Sequence, residues 1–164
     1  MATAAAVALA AGMTSPASAK AEQSAAASQS RLTSQHRITL ITGDRVTVDA
    51  KGRVVGVQRA KGREHIPVQI QKADGHTLVV PADAARLVAT GKLDRRLFDI
   101  TELNKKATRK SQAKGLKVIV GYTGAATATK ADVRDAGTLR RTLKTLNADA
   151  VQTTFKETPE LWTP

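Results

Sequence analysis

Histidines, carboxylates, serines and clustered lysines are the residue types here that could do chemistry, and their spacing decides how much. His36, His65 and His76 are the three histidines. They form no H-x-x-x-H or H-x-H pair, whereas zinc sites need convergent ligands at set spacings. They are expected to be solvated residues beside turns and strand ends, holding neither a metal nor a cofactor. Asp44 and Asp49 flank an apolar stretch, and Asp in a Gly-Asp turn or at a strand end is ordinary turn chemistry. Ser24, Ser28, Ser30 and Ser34 lie in a polar leader and Ser111 in a basic segment. None stands in a G-x-S-x-G elbow, and no glycine cluster precedes a Gly-Lys-Ser/Thr phosphate loop. The absence of cysteine excludes thiolate nucleophiles and disulfide staples. No catalytic site is expected on this chain.

What remains is positive charge. Lys and Arg number 26 against 14 Asp and Glu, a formal net charge of +12. Lys106, Lys110 and Lys114 recur every four residues, which places them on one stripe of a helix. With Arg140 and Arg141 they form a candidate partner-binding basic surface. Such a surface attracts polyanions, anionic lipids or an acidic protein partner. Stacking on bases requires aromatic side chains, and Phe98, Tyr122, Phe155 and Trp162 are scattered. Nucleic acid is therefore disfavoured as the partner.

The elements that must position these residues are mostly short and β-forming. "HRITLITGDRVTVD" (36–49) reads as a hairpin, with Gly43-Asp44 as a two-residue type II′ turn. "AKGRVVGVQR" adds a third strand with Val55 and Val57 on one face. "HIPVQIQKADGHTLVV" (65–80) is a second hairpin in which Ile66, Val68 and Ile70 face one way, and Pro67 confines its first strand to an edge. Pro81 and Gly91 bracket a short helix. "RLFDIT" reads as a strand, and residues 101–115 as a basic linker helix ended by Gly115. Val118-Ile119-Val120 is a continuous apolar run, as in a strand buried on both faces. "AATATKADVRDAG" is a helix stopped by Gly137. Residues 138–155 satisfy helical spacing at Leu139, Leu143 and Leu146 and strand preference at "ADAVQTTF", so periodicity leaves them open.

The two ends carry their own signals. Met1 to Ala19 is uncharged, has a short apolar run and closes on Ala17-Ser18-Ala19. That is the pattern of a signal peptide cut between Ala19 and Lys20, and it is too short to span a bilayer. Residues 20–35 are Ala/Ser/Gln-rich and read as a disordered leader. At the other end Thr158 reads as an N-cap, Pro159 as a first helical residue and Glu160 as a charge suited to a helix start.

Five segments, "ITLITGDRVTVDAKGRV", "GREHIPV", "VVPADAARLVATGKLDRRLFDITELNK", "LKVIVGYTG" and "LNADAV", in this order, resemble the N-terminal prosegment of secreted, actinobacterial-type subtilisin-like serine peptidases. The resemblance covers about His36 to Trp162. It implies an α+β chain: a β-hairpin-rich half (36–100), the linker (101–115) and a peptidase-inhibitor-type, ferredoxin-like unit (116–164). In that unit Leu116–Tyr122 is the first strand, Ala125–Ala136 the first helix, and Thr138–Leu146 with Ala148–Phe155 the central strand pair. Thr158 opens the second helix, so the resemblance implies a chain cut before that helix, the last strand and the catalytic domain. The family's Asp, His and Ser signatures are absent, and "DGHT" (74–77) has the wrong order for the histidine motif, so no catalytic residue carries over. The implied function is a folding template and inhibitor whose partner is a cognate subtilisin-like catalytic domain.

Overall fold

Residues 35–162 are described by the computed structural model. The expected signal peptide, its cleavage residues Ala17, Ala19 and Lys20, and the leader up to residue 34 lie outside the described residues. Alternating apolar residues build β1 (His36–Thr39), β2 (Arg45–Val48) and β3 (Val54–Gln58), an antiparallel sheet in the order β1-β2-β3. The first loop differs from the expected two-residue turn. The Leu40 N–H donates to the Asp44 carbonyl at 2.8 Å and the Gly43 N–H to the Leu40 carbonyl at 2.9 Å. Ile41, Thr42 and Gly43 thus form a three-residue loop, with Gly43 left-handed (φ 81°) at its last position, the place glycine takes in such loops. An irregularity in the pairing between Thr47 and Val48 also overturns the shared face of Val55 and Val57. Val57 packs on the core, while Val55 is 53% exposed, because a bulge reverses the alternation beyond it.

The second hairpin, β4 (Val68–Ala73) and β5 (His76–Pro81), closes through Asp74-Gly75. Val68 packs against the core but Ile70 is exposed. Although Ile70 sits opposite fully buried Val79, β4 is the outer strand, paired on one side only. Pro81 and Gly91 bracket α1 (Ala82–Ala89) as expected. "RLFDIT" is not a strand. It is a 3₁₀ turn (Arg95–Phe98) followed by α2 (Ile100–Leu103), with Asp99 touching Leu78 through a single bridge. Two aspartates decide this: Asp94 accepts from the Arg96 N–H at 2.9 Å, and Asp99 accepts from Thr101 and Glu102 at 3.0 and 3.2 Å. Such side-chain caps start helices and compete with strand pairing.

The expected 101–115 helix is broken. α2 ends at Leu103, Lys105 is extended (ψ 136°), and α3 spans Lys106–Ser111. The break lets Ile100 enter the core while α3 buries nothing. β6 (Leu116–Gly121), α4 (Thr127–Asp135), β7 (Thr138–Leu143), β8 (Ala148–Thr153) and α5 (Thr158–Leu161) follow. The three strands are antiparallel in the order β6-β8-β7, and residues 138–143 and 148–153 resolve to strands. β6 is buried on one face only, since Leu116 is buried and Ile119 is 67% exposed. Just before β6, Gly115 has no alternative: a Cβ there would meet the Thr153 carbonyl oxygen at 1.9 Å.

The core is aliphatic with one ring. Leu40, Val46, Val48, Val79, Phe98 and Ile100 are fully buried, and Leu116 joins them from the β6-β8-β7 sheet. Each such side chain contributes roughly 1.5–3 kcal/mol relative to exposure. Leu161 and Trp162 pack against the same cluster, which tethers α5 to the first half of the chain. Thr158 is not the cap. Glu157 holds that position, and buried Thr158 donates its hydroxyl to the Thr154 carbonyl at 2.8 Å. The described residues fall in one compact unit.

Candidate functional site

The basic residues converge more tightly than their spacing suggests. Lys110 on α3, Lys114 in the turn after it, Lys117 on β6 and Arg140 on β7 line a single open cavity of about 480 Å³. Ser111, Thr138, Gln152 and Thr154 add hydroxyl and amide groups, and no carboxylate lines it. None of these four cations is in an ion pair among the described residues. Of the five expected basic residues, Lys110, Lys114 and Arg140 meet here, while Lys106 and Arg141 do not line the cavity. The pairing shift between Leu139 and Arg141 leaves Arg140 as the extra residue of a bulge, which separates it from Arg141. Lys117 escaped the helical-stripe reading, although the alternation of "LKVIVG" marks it as the outward position of a strand.

The same strand alternation leaves one face of the β6-β8-β7 sheet open. Asp149, Val151 and Thr153 are buried on the face toward α4. On the other face, Ile119 and Arg141 both sit opposite Ala150. Ile119 and Arg141 are exposed and Ala150 is half-buried. Along the unpaired edge of β6 runs an apolar groove of about 340 Å³, lined by Val118, Val120, Val133, Leu87, Leu161 and Trp162 among others.

Two ionic networks fix the surrounding elements. Asp44, expected to be a turn residue, is fully buried. It accepts from the Thr42 hydroxyl at 2.8 Å, the Ala60 N–H at 2.9 Å and Arg63 Nη2 at 3.2 Å. Arg63 also grips Asp83 with two bonds of 2.6 and 3.1 Å, and Trp162 Nε1 donates to the same Asp83 at 3.0 Å. Burial works to raise the Asp83 carboxyl, but Arg63 and Trp162 outweigh it and hold it below the ordinary carboxylate range. Asp149 is the second centre, bonded by Arg134 at 3.1 Å and the Tyr122 hydroxyl at 3.3 Å. Burial opposes its charge, yet bonds from Thr142 and Arg134, with the Arg134 charge, keep it below the usual value. Burial and the Asp149 charge push the Tyr122 phenol up.

His76, Asp99 and Glu102 bring their ligand atoms within 4.8 Å of one another. Those atoms already have partners. Asp99 Oδ2 lies 2.6 Å from His76 Nδ1, its other oxygen caps α2, and Glu102 pairs with Lys105 at 2.6 Å. The cluster ties β5 to α2, which corrects the view of His76 as a free turn residue. His36 is half-buried on β1 and His65 is exposed. Ser111, the one serine among the described residues, donates to the Thr108 carbonyl at 2.9 Å. Among the described residues no helix is long and apolar enough to cross a membrane. No protein-family model, curated protein or solved structure matches the chain.

Proposed function

We propose that the chain is the prosegment of a secreted subtilisin-like serine endopeptidase, acting as folding template and inhibitor of a cognate catalytic domain rather than as a peptidase itself. The observation that carries this reading is the antiparallel β6-β8-β7 order, with α4 connecting β6 to β7 and one sheet face left open. Strand, helix and hairpin in that order make up three strands of a ferredoxin-like, peptidase-inhibitor-type unit. In that plan a further strand lies along the free edge of β6, beside the groove of Val118 and Val120. The open face, with Ile119, Ala150 and Arg141, is the docking surface for the catalytic domain, and the net charge of +12 speeds its encounter with an acidic partner. Export by a signal peptide cut between Ala19 and Lys20 belongs to the same reading.

A denatured cognate catalytic domain, refolded with and without the purified chain, tests the proposal. Faster recovery of peptidase activity, together with weak inhibition of the mature enzyme, is expected. Substituting Ile119→Glu should abolish both. Recovery and inhibition that ignore the chain would overturn it. A second reading, a free-standing secreted basic binding protein, is favoured by the unpaired cations around the 480 Å³ cavity.

A further inference from the structure

The cationic cavity adjoins the open sheet face, since Lys117 and Thr138 both sit opposite Gln152, and its chemistry points to a ligand of its own. Three lysines and one arginine converge from α3, the following turn, β6 and the β7 bulge. Elsewhere in the molecule Arg63, Lys105 and Arg134 each hold a carboxylate. Here four like charges surround one concavity with no acid on its wall. All four are exposed, so water and salt screen their repulsion in part. A multivalent anion touching several of them at once gains most from their shared potential.

The lining also selects the kind of anion. No aromatic side chain lines the cavity, so the ligand is not held by stacking. The guanidinium fork of arginine binds carboxylate and phosphate alike, and lysine adds a point charge that meets a phosphate from any direction. The cavity offers mostly lysine. Ser111, Thr138 and Thr154 supply hydroxyls and Gln152 an amide, donors suited to the remaining oxygens of a tetrahedral phosphate.

We infer that this cavity is a binding site for oligophosphate, meaning two or more closely spaced phosphate groups without bases. Inorganic polyphosphate and a polyol-phosphate polymer share that chemistry. The inference does not depend on the prosegment reading, and its test involves no peptidase.

The full chain is titrated with tripolyphosphate and with poly(glycerol phosphate) at near-physiological salt, following backbone amide shifts and binding heat. Saturable binding of at least one of them is expected, with the largest shifts at Lys117, Thr138 and Gln152. The tighter of the two identifies the source. The triple variant Lys114→Gln/Lys117→Gln/Arg140→Gln should weaken binding about tenfold or more, since phosphate contacts dominate such affinities. Lys61→Gln/Arg95→Gln/Arg96→Gln, which removes the same charge elsewhere, should leave it unchanged. Equal loss in both variants, shifts spread over all basic segments, no saturable binding, or equally tight binding of poly-glutamate would each overturn the inference. Shift mapping on the unaltered chain decides the matter even if a variant fails to fold.

Discussion

Asp44 and Arg63 show how much one buried pair can govern. Asp44 has no solvent access and Arg63 is its charged partner, with the guanidinium side chain 14% exposed. Removing one member of such a pair leaves the other charged and uncompensated, at a cost of about 3 kcal/mol. Arg63→Met is therefore expected to lower unfolding stability by about that amount, measured by urea denaturation with far-ultraviolet circular dichroism. A change within error would show that the Thr42 and Ala60 bonds suffice for Asp44. The paired carboxylates also set a pH dependence. Asp83 and Asp149 are both held below their ordinary values in the folded chain. A depressed folded value favours the folded state above the unfolded value near about pH 4, and this stabilisation disappears as pH falls through the folded value. Thermal midpoints should thus fall as pH drops below about 4. Asp83→Asn should flatten part of that fall, and an unchanged acid limb in that variant would remove Asp83 from the account.

At the scale of elements, α5 is held by a contact that no local pattern reveals. A Cβ on Gly43 would lie 2.7 Å from Pro159 Cγ, so the first loop and the last helix touch directly. Trp162, the single tryptophan, then reaches Asp83 on α1 and lies 5.8 Å from the Arg63 guanidinium. Gly43→Ala forces both a left-handed alanine, costing about 1–2 kcal/mol, and a clash with the proline. It is expected to push α5 away and shift Trp162 emission to the red. The double variant Gly43→Ala/Pro159→Ala removes Cγ and should restore the emission while retaining the backbone strain. Emission unaffected by the single substitution would show that α5 is anchored elsewhere.

Over the whole molecule, the core cluster of the first half is completed by residues far along the chain: Leu116, Val118, Leu161 and Trp162. A chain ending at Lys156 loses the last two. Its expected loss of stability is roughly 2 kcal/mol, from the apolar area returned to water, and it should appear in the β1–β5 region by hydrogen exchange. Protection there unchanged by the deletion would show that the first half folds without α5.

Turn chemistry and local period determined that residues 36–48 and 68–81 contain hairpins and that Pro81 and Gly91 frame a helix, while the α+β class came with the resemblance. These are local events: turn dihedrals, caps and alternation act within a few residues. The resemblance, not periodicity, pointed residues 138–155 toward strands, and β8 pairing on both sides explains why. Tertiary structure alone decided three things. Asp44 became a buried ion-pair centre because Arg63 and Ala60 reach it from sixteen to nineteen residues away. The junction of β5 with α2 was set by His76 holding the second oxygen of Asp99 across 23 residues, whereas the caps that Asp94 and Asp99 make are local. The basic cavity took Lys117 and left Arg141 outside, because strand alternation and a bulge set direction at those positions. Charge can be counted along a sequence, but the direction in which each side chain leaves the backbone depends on pairing partners that local sequence does not name.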